Sequence, residues 1–329
     1  MSPIDYETNY RNPLNAEDLG IGYAAAAENF HGTSEPDADH LESTDPKMKE
    51  IERLLDRFGG VILAGPPGTS KSLLAGQAAD ILTDGNNERR EDVQFHPSYQ
   101  FEDFMEGYRP DPKGGGFELR DGTLLRLAKR AHDHPDETHV LVIDELSRAD
   151  AGRVFGEALT YIEKSKRFQE FSLPSDRKFS IPTNFYIIAT MNPYDRGVDD
   201  IDIAFERRFA RIDMQPSREA LIDILDHSGF PDDAVRRRLL AWFDRINKKA
   251  KDNPSAAIGH AYFAGVSDIS SLRDIWNYQL KYHVERAFKL DKQSRDEIVD
   301  GWGQIADFDD SSKDVDSSES PENSDEDRE

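Results

Sequence analysis

A glycine-rich segment between an apolar run and a helical run has the residue types that bind phosphate. The segment reads Gly65-Pro66-Pro67-Gly68-Thr69-Ser70-Lys71-Ser72. Backbone N–H groups of such a loop, and of the helix that follows it, point at phosphate oxygens. We expect Lys71 to neutralise the β- and γ-phosphates of a nucleotide, and Ser72 to ligate Mg²⁺ through its hydroxyl group. Residues 65–72 are therefore the predicted nucleotide-binding residues.

Ser70 departs from the usual form of this loop, which has a glycine before the lysine. The position must still adopt the backbone of the loop, and we expect a small residue such as serine to do so. The alternative is an ordinary Pro/Gly turn between a strand and a helix. The adjacent Lys71 and Ser72, with a strand before the loop and a helix after it, favour nucleotide binding.

Two carboxylates follow the apolar residues 140–143 directly. Because a buried strand delivers the next side chains at its C-terminal edge, Asp144 is expected to hold Mg²⁺, directly or through water. Glu145 is expected to polarise the attacking water as a general base. The alternative is a strand that ends in solvated acids. The presence of the phosphate loop in the same chain favours the catalytic interpretation.

Polar residues also accompany two further apolar runs. Asn192 follows residues 185–189 and can position water against the γ-phosphate, although a turn residue is the alternative. Arg207 and Arg208 lie at the start of the run 209–213 and suit an arginine finger that acts on a neighbouring subunit. An ordinary surface ion pair is the commoner role of such arginines.

The elements that must position these residues change in character along the chain. Apolar β-type runs at residues 61–64, 93–95, 140–143, 185–189 and 209–213 alternate with helical stretches as far as residue 215. This predicts a buried parallel sheet with crossover helices. From residue 216 the pattern is helical only, with predicted helices at residues 217–227, 232–249, 270–289 and 293–299. The predicted fold class is α/β: a P-loop NTPase core with a parallel five-stranded sheet, followed by an all-helical lid. The predicted divisions are an irregular acidic arm (1–45), the core (46–215), the lid (216–305) and a disordered acidic tail (306–329).

Composition excludes several classes of function. The chain has 329 residues, a net charge of −24 and no cysteine, so disulfides, zinc–thiolate sites and cysteine nucleophiles are excluded. No apolar run approaches the ~20 residues that span a bilayer, and no secretory signal is visible, so we expect a cytoplasmic protein. With 40 Asp and 15 Lys, the surface suits a halophilic protein, although an acidic protein that binds basic partners is the alternative. A generic basic-patch nucleic-acid binder is excluded.

The order of these motifs is that of an AAA+ NTPase, and several stretches also resemble McrB-type NTPases, the motor subunits of McrBC modification-dependent restriction systems. The resemblance covers roughly residues 48–300, in the same order. The stretches that carry it are 95–110 (FHPSYQFEDFMEGYRP), 143–150 (IDELSRAD), 154–157 (VFGE), 191–196 (MNPYDR) and 258–263 (IGHAYF).

The resemblance assigns roles to residues that match the family's motifs. In the family's Met-Asn-Thr-Ala-Asp-Arg motif, the Asn is a sensor and the Asp positions the catalytic water. Asn192 and Asp195 match these two, and Arg196 matches the Arg that follows, whereas Pro193 and Tyr194 replace the Thr and Ala. Asp195 is therefore a further predicted catalytic residue.

The family's arginine run is shorter in this chain. Arg207 and Arg208 match it, but Glu206 stands where another Arg is usual, so the identity of the trans-acting finger stays open between the two. Arg148 matches an arginine that either reaches the neighbouring subunit or pairs with a carboxylate. His260 either contacts the nucleotide or packs beneath it.

A hairpin is predicted around residues 113–123, because glycine-rich and Asp-Gly turns flank a short alternating run. It either faces the centre of a ring and touches a partner, or has no functional role. Family members usually carry a separate N-terminal DNA-recognition domain, and about 45 irregular residues are too few to form one. We therefore expect DNA to be recognised through partner chains.

The resemblance implies a hexameric ring that hydrolyses ATP or GTP with Mg²⁺ and drives a nuclease subunit of the McrC type. No membrane is expected among its partners. Two alternatives remain open. A MoxR-like AAA+ chaperone also fits the phosphate loop, although the stretch 95–110 argues against it. A nucleotide-gated scaffold that does not hydrolyse nucleotide is the non-enzymatic alternative.

Overall fold

A computed structural model describes residues 41–111, 114–194 and 203–306. The predicted arm up to residue 40 and the tail from residue 307 lie outside them. The strands are β1 (Gly60–Ala64), β2 (Arg90–Gln94), β3 (Glu106–Pro110), β4 (Phe117–Asp121), β5 (His139–Asp144), β6 (Phe171–Ser172), β7 (Lys178–Phe179), β8 (Phe185–Met191) and β9 (Ala210–Asp213). The helices are α1 (Pro46–Phe58), α2 (Lys71–Leu82), α3 (Phe101–Phe104), α4 (Thr123–Asp133), α5 (Ala151–Phe155), α6 (Ala158–Tyr161), α7 (Ile203–Glu206), α8 (Arg218–His227), α9 (Asp233–Lys249), α10 (Ile269–Ile275), α11 (Lys281–Ala287) and α12 (Lys292–Gly303).

Five strands form one parallel sheet in the order β2-β5-β8-β1-β9, which confirms the predicted core. Ala64 pairs with Met191, and Ile143 pairs with Ala189. The C-terminal ends of β1, β5 and β8 therefore meet at one edge of the sheet. The residues that follow these strands are brought together there, as expected for an open α/β sheet.

Both faces of the sheet are buried, which explains why its strands read as continuous apolar runs. Alternate residues point to opposite faces. Ile62 and Leu141 pack with Leu124 and Leu127 of α4 on one face. On the other face, residues such as Val61 pack against α1 and α2. The edge strand β2 begins at Arg90 and is only partly buried, which permits polar side chains in its first residues. The predicted apolar run therefore covered only the C-terminal end of this strand.

The described residues after 216 are helical, as predicted, and they bury a core of their own. Trp242, Trp276 and Trp302 pack together there, with the rings of Trp276 and Trp302 stacked at 4.7 Å. The single helix predicted over residues 270–289 is interrupted by a π-helical turn at Trp276–Leu280. Such a turn inserts an extra residue and so changes the direction of the side chains after it.

The predicted hairpin is confirmed, since β3 and β4 pair antiparallel. A second small hairpin, β6–β7, is joined to it through Glu106, which the sequence did not single out. The Glu106 carboxylate is almost fully buried and accepts hydrogen bonds from Ser175 and Arg177. Among the residues that the structure describes, no helix is long and apolar enough to cross a bilayer.

Candidate nucleotide-binding site

The loop between β1 and α2 brings Lys71 to the edge where the parallel strands end. Its ammonium Nζ donates a hydrogen bond to the carbonyl oxygen of Pro66 at 2.8 Å, and the Thr69 hydroxyl donates to the same oxygen at 3.0 Å. Gly65 is required by close approach, because a Cβ atom there would lie 2.1 Å from the Met214 carbonyl oxygen. The loop thus folds back on itself and leaves its remaining backbone amides for a ligand.

Opposite charges surround Lys71. Burial lowers the pKa of its ammonium group, and the carboxylates of Glu145 and Asp144 act in the opposite direction. A partly desolvated lysine beside two carboxylates is a strong electrostatic partner for phosphate, because fewer water dipoles screen its charge.

Ser72 and Asp144 are joined directly by a hydrogen bond. The Ser72 hydroxyl donates to Oδ1 of Asp144 at 2.8 Å. The Thr190 hydroxyl donates to the same carboxylate oxygen and accepts a hydrogen bond from the backbone N–H of Glu145 at 3.2 Å. Thr190 precedes Met191 at the end of β8, and no role was predicted for it from the sequence. Its position at the end of β8, the strand that pairs with β5, is the sequence feature that could have identified it.

The Ser72 hydroxyl and the Asp144 carboxylate fit Mg²⁺, which prefers hard oxygen ligands. Mg²⁺ usually takes one or two ligands from the protein, and water and phosphate oxygens complete its coordination shell. Within residues 41–111, 114–194 and 203–306, no group of three or more acidic or histidine residues could hold a metal by itself. A cation here would therefore be held by Ser72 and Asp144 together with a phosphate ligand.

One cleft contains the predicted base, lysine and sensor. Its volume is about 260 Å³, and Lys71, Glu145 and Asn192 line it together. Asn192 accepts a hydrogen bond from the Tyr194 backbone N–H through its side-chain oxygen at 3.1 Å. Arg148 also lines the cleft, and its Nε lies 3.6 Å from the Glu145 carboxylate. Of the two roles expected for Arg148, the carboxylate pair is present.

Comparison with known proteins agrees with this geometry. A family model described as the AAA domain of the dynein-related subfamily matches residues 60–209. The type IV methyl-directed restriction enzyme EcoKMcrB subunit of Escherichia coli (strain K12) is 34% identical over 69% of this chain. This chain is an AAA+ P-loop NTPase similar to McrB. It spans about half of the length of the Escherichia coli subunit, 52%.

A second relative of this AAA+ NTPase also comes from a restriction enzyme. The type II restriction enzyme BsuMI component YdiS of Bacillus subtilis (strain 168) is 26% identical, over 69% of this chain and 79% of that protein. The resemblance seen in the sequence is therefore confirmed. The nucleotide substrate follows from the AAA domain.

The arginine pair of the NTPase lies away from its own cleft. Arg207 is exposed and Arg208 is half-buried, between α7 and β9. Their charges act on Glu163, whose pKa is lowered first by a hydrogen bond from Ser165. Among the described residues, neither arginine lines the cleft that holds Lys71. Their role as fingers stays a prediction, and predicted Asp195 lies outside the described residues.

Four residues of the described helical region line the cleft of the NTPase, and none of them was predicted from the sequence: Ser255, His283, Arg286 and Ala287. His283 and Arg286 line it beside Glu145. Both follow the π-helical turn Trp276–Leu280, which changes the direction of the side chains after it. Among the described residues, the Nε2 atom of His283 is buried without a hydrogen-bond partner. Burial is the main cause that lowers the pKa of this imidazole. The sequence signal was weak, because a helical surface Arg has no distinctive spacing.

A smaller cavity lies on the other side of the phosphate loop. Its lining comes from the segment that leads into α1, from the loop, from α2 and from the helical region, and it includes Leu41, Thr69, Ser70, Gln77 and His260. His260 is buried and bonded to Ser70, so it touches the loop rather than lying apart from it. Burial, with the nearby charge of Lys47, lowers the pKa of His260 to about 4.

Proposed function

We propose that this NTPase is the ring-forming motor of a McrBC-like restriction complex and hydrolyses ATP or GTP with Mg²⁺ in the cytoplasm. One observation supports the proposed hydrolysis: Lys71, Glu145 and Asn192 line the same cleft. The similarity to two restriction-enzyme components supports the biological setting.

The catalytic residues act on water and on the charge of the phosphoryl group. Glu145 accepts the proton of the attacking water as general base, and Asn192 orients that water against the γ-phosphate. Lys71 stabilises the negative charge that develops on the transferring group. When bound, Mg²⁺ neutralises phosphate charge. Asp195 adds a second group that positions water, as the family motif implies.

The ring is proposed because, among the described residues, neither Arg207 nor Arg208 lines the cleft of its own subunit. Arg207 and Arg208 lie on another surface, where a neighbouring subunit can present them to the next cleft. A finger supplied in trans stabilises the transition state only when subunits associate. We propose a hexamer, with residues 46–215 as the core and residues 216–305 as the lid.

Partners supply the nuclease and the contact with DNA. A net charge of −24 opposes general binding to the phosphate backbone of DNA. We therefore propose a separate nuclease subunit of the McrC type and recognition of DNA through partner chains. The exposed side chains of Tyr108 and Phe117 on the β3–β4 hairpin are available for a partner contact.

The test is co-purification with a tagged chain from the native host in molar salt, followed by assays of ATP and GTP hydrolysis. Recovery of a nuclease subunit supports the restriction complex, whereas recovery of a metal-binding von Willebrand-type partner supports a MoxR-like chaperone. Nucleotide binding without hydrolysis, alone and with the partner, overturns the enzymatic part.

A further inference from the structure

The helical region is attached to the phosphate loop backbone to backbone. The Gly259 N–H donates to the Pro67 carbonyl oxygen at 3.2 Å, and the Ala261 N–H donates to the Gly68 carbonyl oxygen at 2.9 Å. A Cβ atom at Gly259 would lie 1.8 Å from that Gly68 oxygen. The two chain segments are therefore as close as their backbones permit, and a shift of one must move the other.

His260 lies inside this junction and connects it to Ser70. It is only 4% exposed. Its Nδ1 accepts a hydrogen bond from the Ser217 backbone N–H at 3.2 Å, so the proton of the neutral ring resides on Nε2. Nε2 lies 3.2 Å from the Ser70 hydroxyl oxygen and donates to it. Ser217 is also the N-cap of α8, and its hydroxyl accepts from the Ala220 N–H at 3.1 Å.

Ser70 has a backbone conformation that glycine adopts more easily. Its φ is 57° and its ψ is 27°, in the left-handed region, which is unfavourable for a residue with a side chain. The Ser70 hydroxyl oxygen accepts a hydrogen bond from the Nε2–H of His260, and glycine cannot make this contact. The residue before Lys71 is thus held by a side chain of the helical region, and this explains how serine occupies the position.

We infer that His260 is a positioning residue that acts through Ser70 and keeps the amides before Lys71 in the phosphate-binding conformation while the helical region is docked. The inference rests on nucleotide binding by the phosphate loop, and it does not depend on the ring or on the nuclease partner. Its consequence is that nucleotide affinity depends on the arrangement of the helical region.

The test is a double-mutant cycle between His260→Ala and Ser70→Gly. Dissociation constants are measured with fluorescent ATP and GTP analogues, and kcat and KM with the parent nucleotides and Mg²⁺. Loss of one hydrogen bond of ordinary strength predicts that His260→Ala weakens nucleotide binding about tenfold, with kcat at saturation changed less than about twofold. In the Ser70→Gly background, the same change should alter affinity less than about twofold, because both substitutions remove one interaction.

Two further variants protect the test against misfolding. In His260→Gln, a side-chain amide can still donate to Ser70, so most of the lost affinity should return. His227→Ala is the matched control, because this exposed histidine belongs to the same helical region but lies outside the junction. Thermal unfolding without nucleotide checks that each variant is folded.

The outcomes separate this inference from the function proposed above. Wild-type affinity in His260→Ala, full multiplication of the two single effects, or no recovery in a folded His260→Gln variant overturns the positioning role. A wild-type protein that fails to bind nucleotide overturns the NTPase assignment itself. Non-multiplying single effects with recovery in His260→Gln support the inference.

Discussion

The backbone N–H of Glu145 donates a hydrogen bond to the Thr190 hydroxyl oxygen at 3.2 Å. The same hydroxyl donates a hydrogen bond to the Asp144 carboxylate. One side chain of β8 therefore orients both acids at the end of β5. Glu145 is in the left-handed region, with φ 55°. This conformation turns its side chain away from the strand direction and into the cleft with Lys71.

Replacement of Thr190 by Val removes both hydrogen bonds at nearly constant shape. We expect the free energy of unfolding to fall by about 1–3 kcal/mol, because buried polar groups lose a partner. We expect kcat to fall about tenfold, since Glu145 and Asp144 lose their common support. Thr83→Val is the control, because the Thr83 hydroxyl is also buried and donates to the Ala79 carbonyl oxygen at the end of α2. Equal losses of kcat in both variants would contradict the role of Thr190.

Glu145→Gln tests the general base. The amide cannot accept a proton from water, but it keeps the size of the side chain and its place in the cleft. We expect nucleotide binding within about threefold of the wild type and a kcat reduced by about 10²–10⁴-fold. Single-turnover hydrolysis and equilibrium binding measure the two quantities separately. The exposed Glu170→Gln is the matched control, and undiminished hydrolysis by Glu145→Gln would falsify the assignment.

The sequence predicted the parts of the site that follow strands. A parallel sheet gathers the C-terminal ends of its strands at one edge, so motifs after successive apolar runs had to meet there. Asp144, Glu145 and Asn192 were predicted from their places after strands, and Lys71 from the glycine-rich loop. The structure brings Lys71, Glu145 and Asn192 into one cleft and joins Asp144 to Ser72.

The residues contributed by the helical region could not be predicted in this way. The entry of His283 and Arg286 into the cleft depends on how two regions dock and on a π-helical turn, and neither leaves a periodic signal. Only the C-terminal end of the edge strand β2 was predicted from the sequence. Its first residues, Arg90 and Glu91, are polar because the strand is only partly buried.

Mixing of two inactive variants tests whether an arginine acts in trans. We expect Arg207→Ala or Arg208→Ala, whichever removes the finger, to reduce kcat by about 10³-fold or more. A mixture of that variant with Glu145→Gln should regain hydrolysis, because some interfaces combine an intact Glu145 with an intact arginine. The double variant, with both changes in one chain, is the control and should restore nothing when mixed with either single variant. A mixture as inactive as its components, in rings shown to exchange subunits, argues against the trans role.

Glu106 provides a test of the junction between the two small hairpins. Burial acts to raise its pKa, but hydrogen bonds from Arg177 and Ser175 outweigh burial and lower the pKa below its ordinary value. A carboxyl group with a lowered folded pKa stabilises the protein above its unfolded pKa, near 4.3. This contribution is lost as pH falls through the folded pKa.

Glu106→Gln should therefore lower the free energy of unfolding by about 2–3 kcal/mol at pH 7, because the charged hydrogen bonds to Arg177 are lost from a buried position. The difference from the wild type should shrink as pH falls below about 4, since the wild-type carboxyl group then becomes protonated and uncharged. Urea titrations of both proteins across this range measure the difference. Glu118→Gln, in the same hairpin but exposed, should show only a small difference at pH 7, consistent with the weak contribution of exposed ion pairs. A difference for Glu106→Gln that stays constant from pH 7 to pH 3.5 would mean that packing, and not the charge of Glu106, holds the two hairpins together.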